Sequence, residues 1–394
     1  MSAPAEPPDQ PDTQTTATPL LPGLESHPHA RAILTPALAP GATPSHAYLF
    51  HGPAGTGKRA VARAFAAALL REGARTPETV AERVARDSHP DLTWVRPSGA
   101  AEMLVADIEQ PVVAAATHTP FESARRVFVI EAVETMNDQT ANRMLKILEE
   151  PPSFTHLVLL ADRREDVLPT IASRCQPVRF DPLAPALLAA RIDGVDGVDG
   201  DRAQACARLA MGDAGLAERL AGTEGQALRA RAEEFVRSTL AGSTASRPWL
   251  GLLEAAKTAG AQAGERTQEQ LERELEFVPS KERKRYEREA AEARRRGERR
   301  VRTQTLGLSL RLAELWLRDL MCVSEGAGEL VHAVDRRAEL ESDAEARDAL
   351  ALRRGIELVA DTRLSLALNV SEELALEALA YRLQATLANE TVAA

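Results

Sequence analysis

Residues 48–70 read YLFHGPAGTGKRAVARAFAAALL, and this stretch decides the fold of the first part of the chain. Residues 48–51 form a short apolar run that is typical of a buried strand. The Ala-rich run after the glycines places Val61, Phe65 and Leu69 on one face of a helix. A glycine-rich turn between a strand and a helix is typical of a loop that binds phosphate.

The turn matches the phosphate-loop motif G-x-x-x-x-G-K through the residues Gly52, Pro53, Ala54, Gly55, Thr56, Gly57 and Lys58. Backbone N–H groups and a helix N-terminus face the anion in such a loop, and Lys58 adds a positive charge for the outer phosphates. The next motif position requires Ser or Thr, whose hydroxyl binds Mg²⁺, but this chain has Arg59.

Arg59 disfavours a metal at this loop. A guanidinium about 4 Å from Mg²⁺ repels the ion by roughly 8 kcal/mol at an effective dielectric near 20, and this is an upper bound because the side chain can turn away. The loop therefore predicts a phosphate site without metal chemistry. Binding of ATP or ADP without hydrolysis stays open, since Arg59 can itself neutralise phosphate charge.

The composition indicates a cytosolic protein of two or three domains. The chain has 394 residues, of which 44% are hydrophobic, and its net charge of −10 argues against a broad nucleic-acid-binding surface. No apolar run is long enough to span a membrane. Cys175, Cys206 and Cys322 form no CxxC pair, so the sequence predicts neither a disulfide framework nor a zinc site.

Strand-like and helix-like segments alternate in the first half of the chain. After the glycine loop, short apolar runs occur at 92–97, 125–133 and 155–162, each separated from the next by a helical stretch. This alternation predicts an α/β domain with a parallel sheet flanked by helices.

The remaining segments predict the rest of the domain organisation. Beyond the α/β domain the strand pattern ends, and the sequence predicts only helices. We predict four regions: a disordered Pro/Thr-rich tail at 1–19, the α/β domain at 20–182, a small helical domain at 183–243, and a larger helical domain at 244–394 with a charged insertion at 264–302.

Two further positions near the loop have lost the residues that nucleotide hydrolysis needs. A hydrolase usually has Asp-Glu at the end of its third strand, whereas this chain has Glu131 followed by Ala132. Glu131 retains a weak capacity to help hold a metal, but Ala132 cannot polarise a water. At the end of the next strand, Ala161-Asp162 replaces the polar residue that senses the γ-phosphate.

The motifs HAYLFHGPAGTGK (46–58), ANRMLKILEEPP (141–152) and TIASRC (170–175) carry a specific resemblance. In this order and at these intervals they resemble the clamp loader of bacterial DNA polymerase III, a family of AAA+ ATPases. The resemblance is strong over 20–182 and weak over 183–243. LNVSEELALEALAYRL (368–383) also resembles the helical collar of that family.

The resemblance implies a role within a hetero-oligomeric ring. Because Arg59, Ala132 and Asp162 replace catalytic residues while Arg174 of the Ser-Arg-Cys motif is kept, it favours the delta-prime type of subunit. Such a subunit requires no cofactor, has little or no ATPase activity of its own, and supplies Arg174 as an arginine finger to a neighbouring ATP site.

The resemblance also implies the partners. These are the tau/gamma and delta subunits of the polymerase III holoenzyme, joined through the C-terminal helices, with the sliding clamp and primer-template DNA reached through the assembly. Residues 71–91, where the zinc module of the family would lie, contain no cysteine.

Other interpretations stay open at this point. The chain could be a working ATPase of tau/gamma type, or a P-loop scaffold unrelated to replication. Arg174 by position alone is typical of a helix C-cap, and Cys175 of a small buried residue. The basic stretch 281–302, with eleven Lys/Arg against five Asp/Glu, is more typical of a solvated helix than of a surface that binds DNA phosphates.

Overall fold

The structure is a computed structural model that describes residues 21–98, 102–194, 197–275, 283–345, 347–366, 368 and 370–388. The chain divides into two compact units, residues 1–181 and 182–394. The predicted disordered tail at 1–19 lies outside the described residues, as does the part of the charged insertion at 276–282. Among the described helices, none combines the length and the apolar character needed to cross a membrane.

The first unit contains a five-stranded parallel sheet. Its strands are β1 Ala47–His51, β2 Leu92–Val95, β3 Arg126–Ile130, β4 Thr155–Ala161 and β5 Gln176–Arg179, in the spatial order β2-β3-β4-β1-β5. All four neighbouring pairs are parallel. The three inner strands are almost entirely buried, as expected for strands covered on both faces.

Helices cover both faces of this sheet, which confirms the predicted fold class. The helices are α1 Pro28–Ala37, α2 Lys58–Arg71, α3 Val80–Ala85, α4 Val105–Ile108, α5 Asp138–Glu149 and α6 Pro169–Ala172. Successive side chains of a strand point to opposite faces, and β1 follows this rule. Tyr48 and Phe50 pack with Phe65 of α2, whereas Leu49 belongs to a second core with Met144 of α5.

Strand β5 was not predicted. The sequence Gln176-Pro177-Val178-Arg179 has one buried apolar side chain, and its proline removes a backbone donor. The segment is a strand because it pairs with β1 at the edge of the sheet, where Val178 lies opposite Phe50. Edge strands need less apolar sequence than inner strands, so a search for apolar runs misses them.

The second unit is helical throughout its described residues. Its helices are α7 Pro185–Ile192, α8 Gly200–Leu209, α9 Ala214–Ala221, α10 Thr223–Leu240, α11 Trp249–Leu275, α12 Arg283–Ser324, α13 Arg337–Ala344, α14 Ala349–Leu366 and α15 Glu372–Leu387. Its largest core joins α10, α11, α12, α14 and α15 around Trp249 and Trp316. Leu312 and Leu315 of α12 also pack in a cluster with Ile192 of α7. The predicted division into two helical domains at 243/244 stays a prediction.

One carboxylate organises the segment between α2 and β3. The Asp91 side chain is fully buried and accepts hydrogen bonds from the backbone N–H groups of Phe121, Glu122 and Ser123 at 2.5, 2.9 and 3.0 Å. Arg83 of α3 pairs with the Glu122 carboxylate. Together these contacts hold the turn before β3 against α3.

Candidate nucleotide site and Arg174

The glycine loop connects β1 to α2 as the motif predicts. Gly52 has φ of 147°, a conformation that favours glycine, and a Cβ there would lie 2.0 Å from the carbonyl oxygen of Phe180. Gly57 precedes α2 with φ of 89°. Helix α2 begins at Lys58, and the free N–H groups of its first turn favour an anion.

Lys58 is held by its own chain. Its ammonium group donates to the carbonyl oxygens of Gly52 and Pro53, the latter at 2.7 Å, and forms an ion pair with Asp162 Oδ1 at 3.0 Å. An ammonium group has three donors, so these three contacts satisfy it. The Lys58 side chain is 8% exposed, whereas that of Asp162 is 57% exposed. The residue at the predicted sensor position thus serves as a counter-ion for the loop lysine.

Glu131 is also neutralised inside the site. Its side chain is only 5% exposed, and Arg59 approaches one carboxylate oxygen at 2.6 Å. The other oxygen accepts from Trp94 Nε1 at 2.6 Å and from Arg96 Nε at 3.1 Å. Arg59, which the sequence predicts to repel Mg²⁺, has Glu131 as its partner.

A second carboxyl group lies beside Asp162. Glu134 Oε1 accepts from the backbone N–H of Asp162 at 3.4 Å, and its Oε2 is buried without a hydrogen-bond partner. Burial raises the pKa of the Glu134 carboxyl, and the nearby Asp162 carboxylate raises it further. Ala132, at the position of the polarising glutamate, adopts a left-handed backbone with φ of 52° and offers no functional group.

The residues of the site do not fit a magnesium nucleotide, the group that an intact phosphate loop binds. The loop hydroxyl is replaced by Arg59, and both oxygens of Glu131 are taken by cations or by an indole N–H. Mg²⁺ needs oxygen ligands in near-ideal octahedral geometry, and a guanidinium 2.6 Å from the acidic group competes for that position. No hydrolytic step through a metal follows from this arrangement.

Arg174 lies outside this cluster, after α6. Its Nη1 donates to the carbonyl oxygen of Thr170 at 2.9 Å, and its Nη2 pairs with Glu149 Oε1 at 2.6 Å. The Arg174 side chain is 36% exposed and that of Glu149 is 50% exposed. The contact with Thr170 is the helix-cap geometry that the sequence allows, and the contact with Glu149 is a surface ion pair.

The carboxyl ends of neighbouring parallel strands bring the site together. Lys58, Glu131 and Asp162 follow β1, β3 and β4. They therefore meet at the carboxyl ends of the strands, where ligands usually bind in folds of this kind. The hydrogen bonds described for Arg174 go to Thr170 and Glu149 instead. Cys175 is buried, and burial raises its thiol pKa to about 12, in keeping with a packing residue.

Sequence reasoning missed three contributors to the site. Trp94 and Arg96 reach Glu131 from β2, and His27, ahead of α1, donates from Nε2 to the Thr56 carbonyl oxygen at 2.7 Å. For Arg96 the signal lies in the strand register, which the sequence alone does not give. The register pairs Val95 with Ile130, so the next residues along both strands are Arg96 and Glu131.

Comparisons with known proteins agree with the motifs. The family model described as DNA polymerase III, delta subunit, matches residues 27–184. DNA polymerase III subunit delta' of Pseudomonas aeruginosa is 38% identical over 136 residues, or 33% of this chain and 42% of the relative. The delta' subunit of Bacillus subtilis is 37% identical over 152 residues, or 38% of this chain and 46% of the relative.

Other relatives are more distant. The tau subunit of Bacillus subtilis is 30% identical over 162 residues, which cover 41% of this chain and 28% of the relative. A gamma-subunit-related protein of Thermotoga maritima superposes with a TM-score of 0.43 and 16% identity, over 91% of this chain and 99% of that chain. This chain spans less than half the length of the two delta' relatives. Over residues 27–184, the chain is similar to the delta' subunits of DNA polymerase III, as its motifs predict.

Proposed function

We propose that this chain acts as a delta-prime-type subunit of a DNA polymerase III clamp loader, which opens the sliding clamp and places it on primed DNA. One contrast carries the proposal: the charges of the chain's own loop are paired internally, whereas Arg174 lies at the surface. The similarity of residues 27–184 to delta' subunits supports the same assignment. A replication role would place the chain in the cytoplasm.

In this role the chain requires no cofactor and hydrolyses no ATP. The loop lysine is bound to Asp162, Glu131 is bound to Arg59, and Ala132 has no group that could polarise water. The chain would be a subunit of the ring that does not itself hydrolyse ATP.

Arg174 would act on the ATP of the neighbouring subunit. A planar guanidinium can form two parallel hydrogen bonds to a phosphoryl group and offset the charge that develops during transfer. Its Glu149 partner is half-exposed, so exchanging that carboxylate for a phosphate exposes no buried charge. Position in the Ser-Arg-Cys motif and surface exposure are the two supports for this role.

The partners would be tau/gamma and delta subunits, joined through the C-terminal helices. Helices α14 and α15 and the residues between them expose large apolar side chains, the most exposed being Leu364, Leu368 and Leu374. Exposed apolar side chains mark a protein interaction site where they form one contiguous patch. The clamp and primer-template DNA would be reached through the assembled ring.

The decisive experiment replaces Arg174 in a loader reconstituted from this chain and its native tau/gamma and delta subunits. Arginines supplied in trans are worth about 10³–10⁵ in rate, or roughly 4–7 kcal/mol of barrier. We expect Arg174→Ala to leave assembly intact, as checked by size, and to silence the one ATP site it serves in the clamp- and DNA-stimulated ATPase. Arg163→Ala, another exposed arginine paired on its own surface, is the matched control. Normal ATPase and clamp loading by a fully assembled Arg174→Ala ring would reduce this arginine to a helix cap.

Two measurements separate the other interpretations. The isolated chain should hydrolyse ATP no faster than a buffer blank, and sustained turnover that disappears in Lys58→Ala would identify a tau/gamma-type ATPase. The native chain should co-purify with the other loader subunits. Its failure to do so would favour a scaffold unrelated to replication.

A further inference from the structure

Asp162 stands where a nucleotide phosphate would have to meet Lys58. We propose that Asp162 is a built-in counter-ion that occupies the phosphate position at Lys58, so that this glycine loop excludes nucleoside triphosphates although its backbone shape is retained. The inference concerns ligand selectivity of the loop and holds whether or not the chain joins a clamp loader.

All three N–H donors of the Lys58 ammonium group are used within the chain. Asp162 Oδ1 lies 3.0 Å from Nζ, and the remaining donors go to the carbonyl oxygens of Gly52 and Pro53. The lysine is enclosed, whereas more than half of the Asp162 side chain is exposed. A phosphate that reaches Lys58 must displace this carboxylate and then remain beside it, and both groups are negatively charged.

Glu134 strengthens the exclusion. It receives the backbone N–H of Asp162, so two carboxyl groups share the side of the loop that faces Lys58. The free oxygen of Glu134 is buried and lacks a donor, and thus it adds an acceptor where a phosphate would also need donors. This side of the loop is suited to a cation, and Lys58 is that cation.

Binding of a nucleotide through Mg²⁺ is prevented by a different set of contacts, those of Glu131. Glu131 holds Arg59 and Arg96 rather than Mg²⁺, and these contacts do not involve Asp162. Removing the charge of Asp162 should therefore restore binding of the phosphates to the loop without restoring a metal site. The restored binding should be the same with and without Mg²⁺, which is opposite to the behaviour of a working ATPase.

The experiment measures equilibrium binding of radiolabelled ATP to the full chain, once in MgCl₂ and once in EDTA. We expect Asp162→Asn to bind ATP at least about 10-fold more tightly than the parent chain in both buffers, equivalent to about 1.4 kcal/mol. Asp166→Asn is the matched control, because Asp166 is similarly exposed at 52% and pairs with Arg163 instead. It should bind as the parent does. The double variant Asp162→Asn/Lys58→Ala should lose the gain.

Two outcomes would overturn the proposal. One is a parent chain that binds ATP as tightly as Asp162→Asn. The other is an Asp162→Asn chain that is folded, with the circular dichroism of the parent, but gains no affinity. Thermal melting gives a second readout, since ligand that binds only the native state raises the melting temperature. ATP should raise the melting temperature of Asp162→Asn and leave that of the parent unchanged. Neither outcome depends on Arg174 or on loader assembly.

Discussion

Lys58 and Arg174 are both cations that pair with a carboxylate of the same chain, yet their surroundings differ. Lys58 is enclosed, with two loop carbonyls as additional acceptors, whereas Arg174 and Glu149 form a pair of which roughly a third and a half are exposed. Breaking the Lys58 pair leaves an enclosed ammonium group without its counter-ion, whereas an exposed pair such as Arg174–Glu149 contributes little. The comparison suggests that enclosed charges have become structural while the exposed arginine is available to another molecule.

The largest expected effect separates a helix cap from an arginine finger. Lys at position 174 keeps the positive charge that complements a helix C-terminus, but it lacks the planar fork that grips a phosphoryl group. We therefore expect Arg174→Lys to preserve the stability of the chain while lowering the rate at the served ATP site at least about 100-fold, most of the effect of a missing trans arginine. The measurement is single-turnover ATP hydrolysis by the assembled loader. Full activity with lysine would mean that only the charge matters.

A smaller effect tests whether the loop region is enclosed. Burial raises the pKa of Glu134 in the folded chain, so the folded state binds the proton more tightly than the unfolded state. The stability of the parent should therefore fall as the pH rises through the interval between the unfolded and folded pKa values. Glu134→Gln removes this penalty, so it should stabilise the chain at pH 7 and have little effect at low pH, where Glu134 is protonated in both states.

Urea unfolding of the parent and Glu134→Gln across this pH range provides the measurement. Glu165→Gln, the same chemical change on an exposed side chain, gives the matched control. A stability difference that does not change with pH would contradict the enclosed environment of Glu134.

The third prediction examines the exposed side of the comparison. Glu149→Gln removes the ion pair with Arg174 but keeps an oxygen that can accept a hydrogen bond. Because exposed pairs are worth about 0–1 kcal/mol, the free energy of unfolding should change by less than about 1 kcal/mol. The loader ATPase should stay within about twofold of the parent, less than the factor of 5 that 1 kcal/mol represents. A large loss of ATPase with unchanged stability would instead make Glu149 a positioning residue for Arg174.

The smallest effect is expected on α12, where exposed arginines are numerous. Arg294 forms an i,i+4 pair with Glu298, and Arg295 and Arg296 are exposed, as in a solvated helix. We expect charge reversal at these three arginines to leave the salt dependence of primer-template binding by the loader unchanged. Each lost phosphate contact would flatten the slope by roughly 0.9.

A double reversal at Arg353 and Arg354 on α14, compared with the double reversal at Arg295 and Arg296, controls for net charge. A flatter slope for the α12 variant alone would show that this helix contacts DNA phosphates. An unchanged slope would mean that exposure alone does not mark a functional arginine, so that the case for Arg174 depends on its place in the motif.

The sequence was informative where structure is local. The strand, glycine loop and helix of residues 47–71 follow from apolar periodicity and a motif only a few residues long. Pairings between distant residues were not predictable in the same way. Lys58 and Asp162 are 104 residues apart, and the sequence indicated only that a carboxylate suits a phosphate site poorly. Strand β5 was missed because its pairing with β1, rather than its own composition, makes it a strand.

The buried Asp91 has a consequence for how the turn before β3 folds. A single carboxylate gathers three backbone N–H groups and thereby holds the turn before β3, and Arg83 secures the neighbouring Glu122. These contacts use oxygen and nitrogen atoms that are already in the chain. The turn is therefore fixed as soon as Asp91 meets residues 121–123, because every donor and acceptor in these contacts belongs to the chain itself.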